Sequence, residues 1–153
     1  GTFRTMDESW RNEAHRLIKK IAKSIADSLD TDCSVNIKNG YPVLYNNEES
    51  TKKATEFSKA FLGEAQIKEL DIRMTAEDFA YYTHELPGIF FRLGTGNDAK
   101  NTNLPLHSSN FNIDEDALKT GMGNLAWLTL QFLEDYRYKC FHRRIYPRLS
   151  LFR

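Results

Sequence analysis

Between Glu8 and Leu29 the apolar residues fall at Trp10, Ala14, Leu17, Ile18, Ile21, Ala22, Ile25 and Leu29. Steps of three and four repeat with the turn of an α-helix. A helix with one apolar side must lie against something, so this stripe demands a layered packing in which a long helix covers a second element. Its start is marked by Asp7 alone or by Thr5 with Glu8, whose side chains accept orphan backbone N–H groups. The opposite side carries Arg11, Lys19, Lys20 and Lys23, which reads as a solvated basic face.

Around this helix the pattern changes period. Gly1–Met6 alternates weakly and reads as a strand end, and Cys33–Ile37 alternates apolar with polar residues, as a half-buried strand does. Asn39-Gly40 is a turn signal, since both residues tolerate positive φ. Asn47-Glu48-Glu49 then opens a second helix to about Leu62, with Ala54, Phe57, Ala60 and Phe61 inward and Gly63 closing it. Residues 1–47 thus form a β-α-β piece, and the chain starts afresh near Asn47.

The second part reads as a short strand or extended segment at Ile67–Ile72, a helical turn at Thr75–Tyr82 opened by Thr75, and a buried strand at Ile89–Leu93 between Pro87-Gly88 and Gly94. A polar loop holding His107 follows. A helix then runs from Asp114 to about Asp135, with Leu118, Met122, Leu125, Ala126, Trp127, Leu128 and Leu133 apolar. Gly121 and Gly123 each cost that helix about 1 kcal/mol relative to alanine, which points to close packing against another backbone. The expected class is α/β, or α+β for this stretch alone.

At 153 residues the chain is about one domain long, and 41% hydrophobic with 27% charged residues is the balance of a soluble globular protein. No apolar run approaches the roughly 20 residues of a membrane helix, and GTFRTMDESW lacks the parts of a signal peptide. Cys33 and Cys140 have no CxxC partner, so reduced thiols and a cytoplasmic setting are expected. The zero net charge is uneven: residues 136–153 carry six Lys/Arg and no Asp/Glu, leaving fifteen basic against twenty-one acidic residues before them. This tail has no helical stripe and no recognition motif, so it is expected to be a poorly ordered end with neither nucleic acid nor membrane as partner.

Taken singly, the candidate motifs say little. Gly94-Thr95-Gly96 follows a strand but lacks a third glycine, a helix directly behind it and a Lys-Ser/Thr pair, so it is no phosphate loop. Ser108-Ser109 beside His107 sits in no GxSxG turn. Glu77-Asp78 suits an acid, base or ligand, or equally a helix cap favoured by the dipole. His107, in LPLHSSNFNIDEDAL, is either a loop residue of no consequence or one ligand of a site completed elsewhere.

Taken in order, the blocks GTFRTMDESWR, MTAEDFAYY, PGIFFRLGTGN and LHSSNFNIDEDALKTGMGNLAWL are a specific set. With their spacing, over about residues 1–133, they resemble the carboxy-terminal part of the aminoacylase/carboxypeptidase-type metallohydrolases. The closest branch is that of hippurate hydrolases and other N-acyl-amino-acid amidohydrolases. The resemblance implies that residues 1–47 are the second half of a ferredoxin-like lid and dimerisation domain. Residues 48–135 would complete a zinc-peptidase-like α/β/α catalytic domain.

It further implies two divalent metals (zinc, manganese, cobalt or nickel) that activate a water, with an N-acyl amino acid or peptide as substrate and a homodimer formed through the lid. In such enzymes a glutamate acts as base, and it and most ligands lie in the amino-terminal part. The final ligand is the histidine of the LHS-like block, here His107. Glu77, Asp78 and Gly94, Thr95, Gly96 and Asn97 would line the substrate cleft, and Arg4 would either be a surface charge on a lid strand, the favoured reading, or face the substrate carboxylate from the lid. The chain lacks an HxDxxP-like block, a Glu-Glu pair followed by His, and a ligand cysteine, since Cys33 falls on a lid strand. The isolated chain is therefore expected to be inactive. The competing expectations are a non-catalytic truncated remnant that at most dimerises, and an unrelated small α+β binding protein.

Overall fold

The structure, a computed structural model, describes the backbone of residues 1–145 and the side chains of residues 1–137. Four helices follow one another: α1 (Glu8–Ser28), α2 (Glu48–Leu62), α3 (Ala80–Glu85) and α4 (Asp116–Ile145). Single 3₁₀ turns sit at Glu64–Gln66 and Asp98–Lys100. The chain divides into two compact units, residues 1–50 with 70–90, and residues 51–69 with 91–153.

In the first unit α1 starts where Asp7 stops being helical, at φ −126° and ψ 117°. The Asp7 carboxylate accepts from Trp10 N at 2.8 Å and from Ser9 Oγ at 2.7 Å. Those bonds, the Trp10 amide first, hold its carboxyl below the ordinary value. Of the two expected starts, Asp7 alone is the one used. Glu8 turns instead to Arg11 and accepts Val43 N at 2.8 Å, while Arg11 also donates to Tyr41 O at 2.8 Å. Desolvation pushes the Glu8 carboxyl upward, but the bonds from Arg11 and Val43 with the Arg11 charge outweigh it and leave it lowered. Arg11 thus leaves the solvated basic face, whereas Lys19, Lys20 and Lys23 are exposed.

The apolar stripe of α1 is covered only in part. Within it Ala14 is buried and Leu17 and Ala22 are half-buried, but Trp10, Ile18, Ile21, Ile25 and Leu29 are exposed. Nor do the expected strands form: among the described residues, Gly1–Met6, Cys33–Ile37, Ile67–Ile72 and Ile89–Leu93 carry no strand ladder. At Met6 and Phe90 a physical reason is visible in the hydrogen bonds. Extended backbone needs partners for its N–H and C=O groups, and polar side chains supply them there and at the neighbouring Val43 and Met74. Asn46 takes both groups of Phe90, Glu8 and His84 take those of Val43, Arg4 takes Met74 O and Tyr45 takes Met6 O.

α2 begins at Asn47, whose Oδ1 accepts Ser50 N at 2.9 Å, and ends at Gly63, which adopts φ 89° without the penalty a side chain would bring. α3 starts later than expected. Its first residue is Ala80; Glu77 Oε1 accepts Phe79 N at 3.3 Å, and successive turns through Glu77 and Asp78 lead into Ala80.

In the second unit α2 packs on α4. Phe57 meets Phe132 edge-on at 5.5 Å and Phe61 stacks on Trp127 at 5.8 Å. Trp127 Nε1 donates to Phe57 O at 2.9 Å, and Lys53 pairs with Asp135 at 2.7 Å. Ala54, Ser58, Asn124 and Leu128 are buried. The glycines of α4 make room for side chains, not for another backbone. A Cβ at Gly123 would lie 3.2 Å from Phe61 Cζ, and one at Gly121 would lie 2.7 Å from Leu93 Cδ2. Of the apolar positions of this helix, Leu118, Met122, Leu125 and Leu133 are exposed. α4 runs ten residues beyond Asp135, into the basic tail; residues 146–153 lie outside the described residues.

Candidate metal-ligand loop

His107 lies on the loop between Leu93 and α4, in the second unit. Pro105 O accepts Ser108 N at 3.0 Å, and Ser108 O accepts Phe111 N at 3.2 Å, so His107 sits inside the first of two consecutive turns. Its imidazole is exposed and, among the described residues, makes no hydrogen bond or ion pair. Beside it the Ser108 Oγ is buried without a partner. An orphaned buried hydroxyl costs about 1–3 kcal/mol unless something satisfies it.

The two ends of this loop are drawn together. Thr95 O accepts Asp114 N at 2.8 Å. The Asp114 carboxylate accepts from Asn97 Nδ2 and from Lys100 Nζ, each at 2.6 Å, and Lys100 also reaches Asp116 at 2.6 Å. The Lys100 ammonium, followed by the Asn97 amide, holds the Asp114 carboxyl at about 2, and the same pair of carboxylates raises Lys100. Asn97 also caps the turn Asp98–Lys100, with Oδ1 accepting Ala99 N at 3.0 Å. Gly96 has no room for a Cβ, which would run into Asn103 Oδ1 and stand 3.0 Å from Asn103 Cγ.

The other predicted residues fall in the first unit. Arg4 donates to Met74 O at 2.8 Å, and Glu77 holds the turn before α3. A hollow of about 330 Å³ in that unit is lined by Tyr45, Asn46, Asn47 and residues 83–87, none of them predicted. Among the described residues no group of three or more His, Cys, Asp or Glu could hold a metal ion, so His107 is a lone donor here. Lys100 and Asp114 were not singled out from sequence as a pair. The signal for them is a lysine in the polar loop ahead of the acidic run Asp114-Glu115-Asp116.

A histidine presented on a tied loop ahead of a long helix, in a chain with this order of blocks, has a family. The chain belongs to Peptidase family M20/M25/M40, which it matches over residues 6–130. Membership fits a zinc-peptidase-like α/β/α fold. Thermostable carboxypeptidase 2 of Saccharolobus solfataricus is 35% identical over 86% of this chain and 33% of its own length. An N-acetyldiaminopimelate deacetylase of Lactococcus lactis is 31% identical over 77% of this chain and 30% of its own. A putative amidohydrolase of Bacillus subtilis is 27% identical over 86% of this chain and 33% of its own. The chain thus spans about a third of the length of the curated relatives it matches. No solved structure matches it.

Proposed function

We propose that this chain is part of a metal-dependent amidohydrolase that cleaves the amide bond of N-acyl amino acids or related peptides, and that His107 is its contribution to the metal centre. The observation that carries the reading is the His107 imidazole itself. It is exposed, without a partner among the described residues, and fixed in a turn beside the orphaned Ser108 hydroxyl. A metal needs a neutral ring nitrogen held in a set orientation, and this donor fits one position of such a site. Relatives named carboxypeptidase, deacetylase and amidohydrolase support hydrolysis of an amide.

When bound, a pair of divalent ions would lower the pKa of a water and polarise the amide carbonyl. The chain's own part is to hold one imidazole in place and to shape the cleft. Glu77, Asp78 and Gly94–Asn97 belong to that cleft wall in this reading, with Arg4 placed toward the substrate carboxylate and residues 1–47 forming a homodimer. Base and remaining ligands come from the rest of the enzyme, so the chain alone has no turnover.

The test is a chimera in which this chain replaces the aligned third of the Saccharolobus carboxypeptidase. His107→Ala in that chimera should lose metal content and cut hydrolysis of N-acyl amino acids by at least about 10–100-fold, the cost of much milder changes around a metal. Retention of both metals and full turnover in a folded His107→Ala chimera would overturn the reading.

A further inference from the structure

We infer that Asp114 is a positioning residue for His107: its carboxylate, clamped between Asn97 and Lys100, closes the loop that presents the imidazole. This rests on the reading of His107 given above. Two halves of the loop are held very differently. Residues 97–102 form a closed turn, with Asn97 N donating to Thr102 Oγ1 at 2.8 Å, Thr102 N donating to Asn97 O at 3.0 Å, and Thr102 buried. Among the described residues, 104–113 hold only two local turns and the bond from Ile113 N to Asn112 Oδ1 at 2.9 Å. His107 lies in this second half.

Where such a segment sits is decided by its ends, because a flexible loop gains definition only from the points that tie it. One end is fixed where Asn103 Nδ2 bonds Asp98 Oδ1. The other end is Asp114, and four bonds converge on it: its N–H donates to Thr95 O, and its carboxylate accepts from Asn97 Nδ2, from Lys100 Nζ and, at 3.2 Å, from Asp116 N. Bonds to an ionised group are shorter and stronger than neutral ones. Asp114 also leads into α4, with Ala117 N donating to its carbonyl at 3.0 Å. One residue therefore fixes the loop's far end both to its near end and to the helix.

The test uses the whole 153-residue chain, with amide hydrogen exchange and ¹⁵N relaxation of the His107 ring as readouts. Asp114→Ala should raise exchange through residues 104–113 about tenfold or more and increase ring mobility, while α4 amides at 121–130 stay as protected as in wild type. Lys100→Met, which leaves the Asn97 bond in place, should give a smaller change in the same direction and covers the case in which Asp114→Ala does not fold. Wild-type exchange and ring mobility in both variants would overturn the inference, and so would an equal loss of protection along α4. These readouts need no metal. If the His107→Ala chimera keeps its metal while the loop still loosens in Asp114→Ala, the ligand reading alone has failed.

Discussion

The side-chain amide of Asn46 holds Phe90 by both of its backbone groups, accepting Phe90 N at 2.7 Å and donating to Phe90 O at 2.9 Å. One residue on, Asn47 N donates to Gly88 O at 2.9 Å. A carboxamide and a peptide group carry the same donor and acceptor, so Asn46 does for Phe90 what an adjacent strand would do. The junction after Val43 is thereby bound to the segment that leaves α3.

Replacing Asn46 by alanine should destabilise the chain by about 1 kcal/mol, the low end for two exposed bonds. Asn46→Asp keeps the acceptor for Phe90 N but sets a second oxygen against Phe90 O, so it should be no better than alanine. Urea denaturation of the three proteins decides the point; an aspartate variant as stable as wild type would show that the pair contributes nothing.

Gly121 and Gly123 should respond differently to alanine. Either change recovers about 1 kcal/mol of helix propensity. At Gly121 the new methyl meets the tip of Leu93, a partly exposed side chain that can swing aside. At Gly123 it presses on the Phe61 ring, which is stacked on Trp127 and has less freedom to yield. Gly121→Ala should therefore raise the midpoint of unfolding and Gly123→Ala should leave it unchanged or lower it. The reverse order would refute this account of α4.

These elements show where the sequence could be read and where it could not. α2 was legible at both ends because its signals are local: Asn47 reaches three residues along to Ser50, and Gly63 takes a positive φ that glycine adopts without strain. α3 was placed too early because Glu77 spends its carboxylate on a turn that a capping rule does not foresee. The strands were expected from alternation or from a short apolar run, but a strand is made by its partner, and Phe90 finds its partner 44 residues away in a side chain. His107 was legible as a ligand only through the resemblance, since nothing beside it in sequence completes a site. The Asp114 clamp joins residues 14 and 17 apart, beyond the reach of any periodic pattern.

The clamp sets the pH behaviour of the loop. Asp114 titrates at about 2 in the folded chain, below its ordinary 3.8. Between those values the unfolded or opened chain binds more protons, so the contribution is full above 3.8 and is lost as pH falls toward 2. Lys100 is raised above its ordinary 10.5, so its share is full below that value and lost only as pH climbs past it. Exchange through residues 104–113, corrected for its intrinsic pH dependence, should be flat from pH 5 to 9 and rise below pH 4. Asp114→Asn should abolish the acid rise; a rise that persists in that variant would assign it to another group.

His84 and Glu8 should prove to be coupled, because each holds one backbone group of the same buried residue. Glu8 Oε1 accepts Val43 N at 2.8 Å from the start of α1. His84 Nε2 lies 2.8 Å from Val43 O on the other side, and since a carbonyl only accepts, that nitrogen carries the proton. Val43 is 8% exposed, so water does not replace a lost partner freely. His84→Ala should cost about 1 kcal/mol, and Glu8→Ala somewhat more, because Arg11 loses its carboxylate partner and keeps only Tyr41 O of the two it is shown with. Once either side chain is gone, the Val43 segment is already loosened and the second loss should matter less. The double variant should then fall short of the summed single costs by about 0.5 kcal/mol or more, the range for residues that share a partner. His15→Ala, whose ring meets only Phe3 edge-on at 6.4 Å among the aromatic contacts, should add independently to either. Strict additivity of Glu8→Ala and His84→Ala in urea denaturation would mean that Val43 does not transmit between α1 and α3.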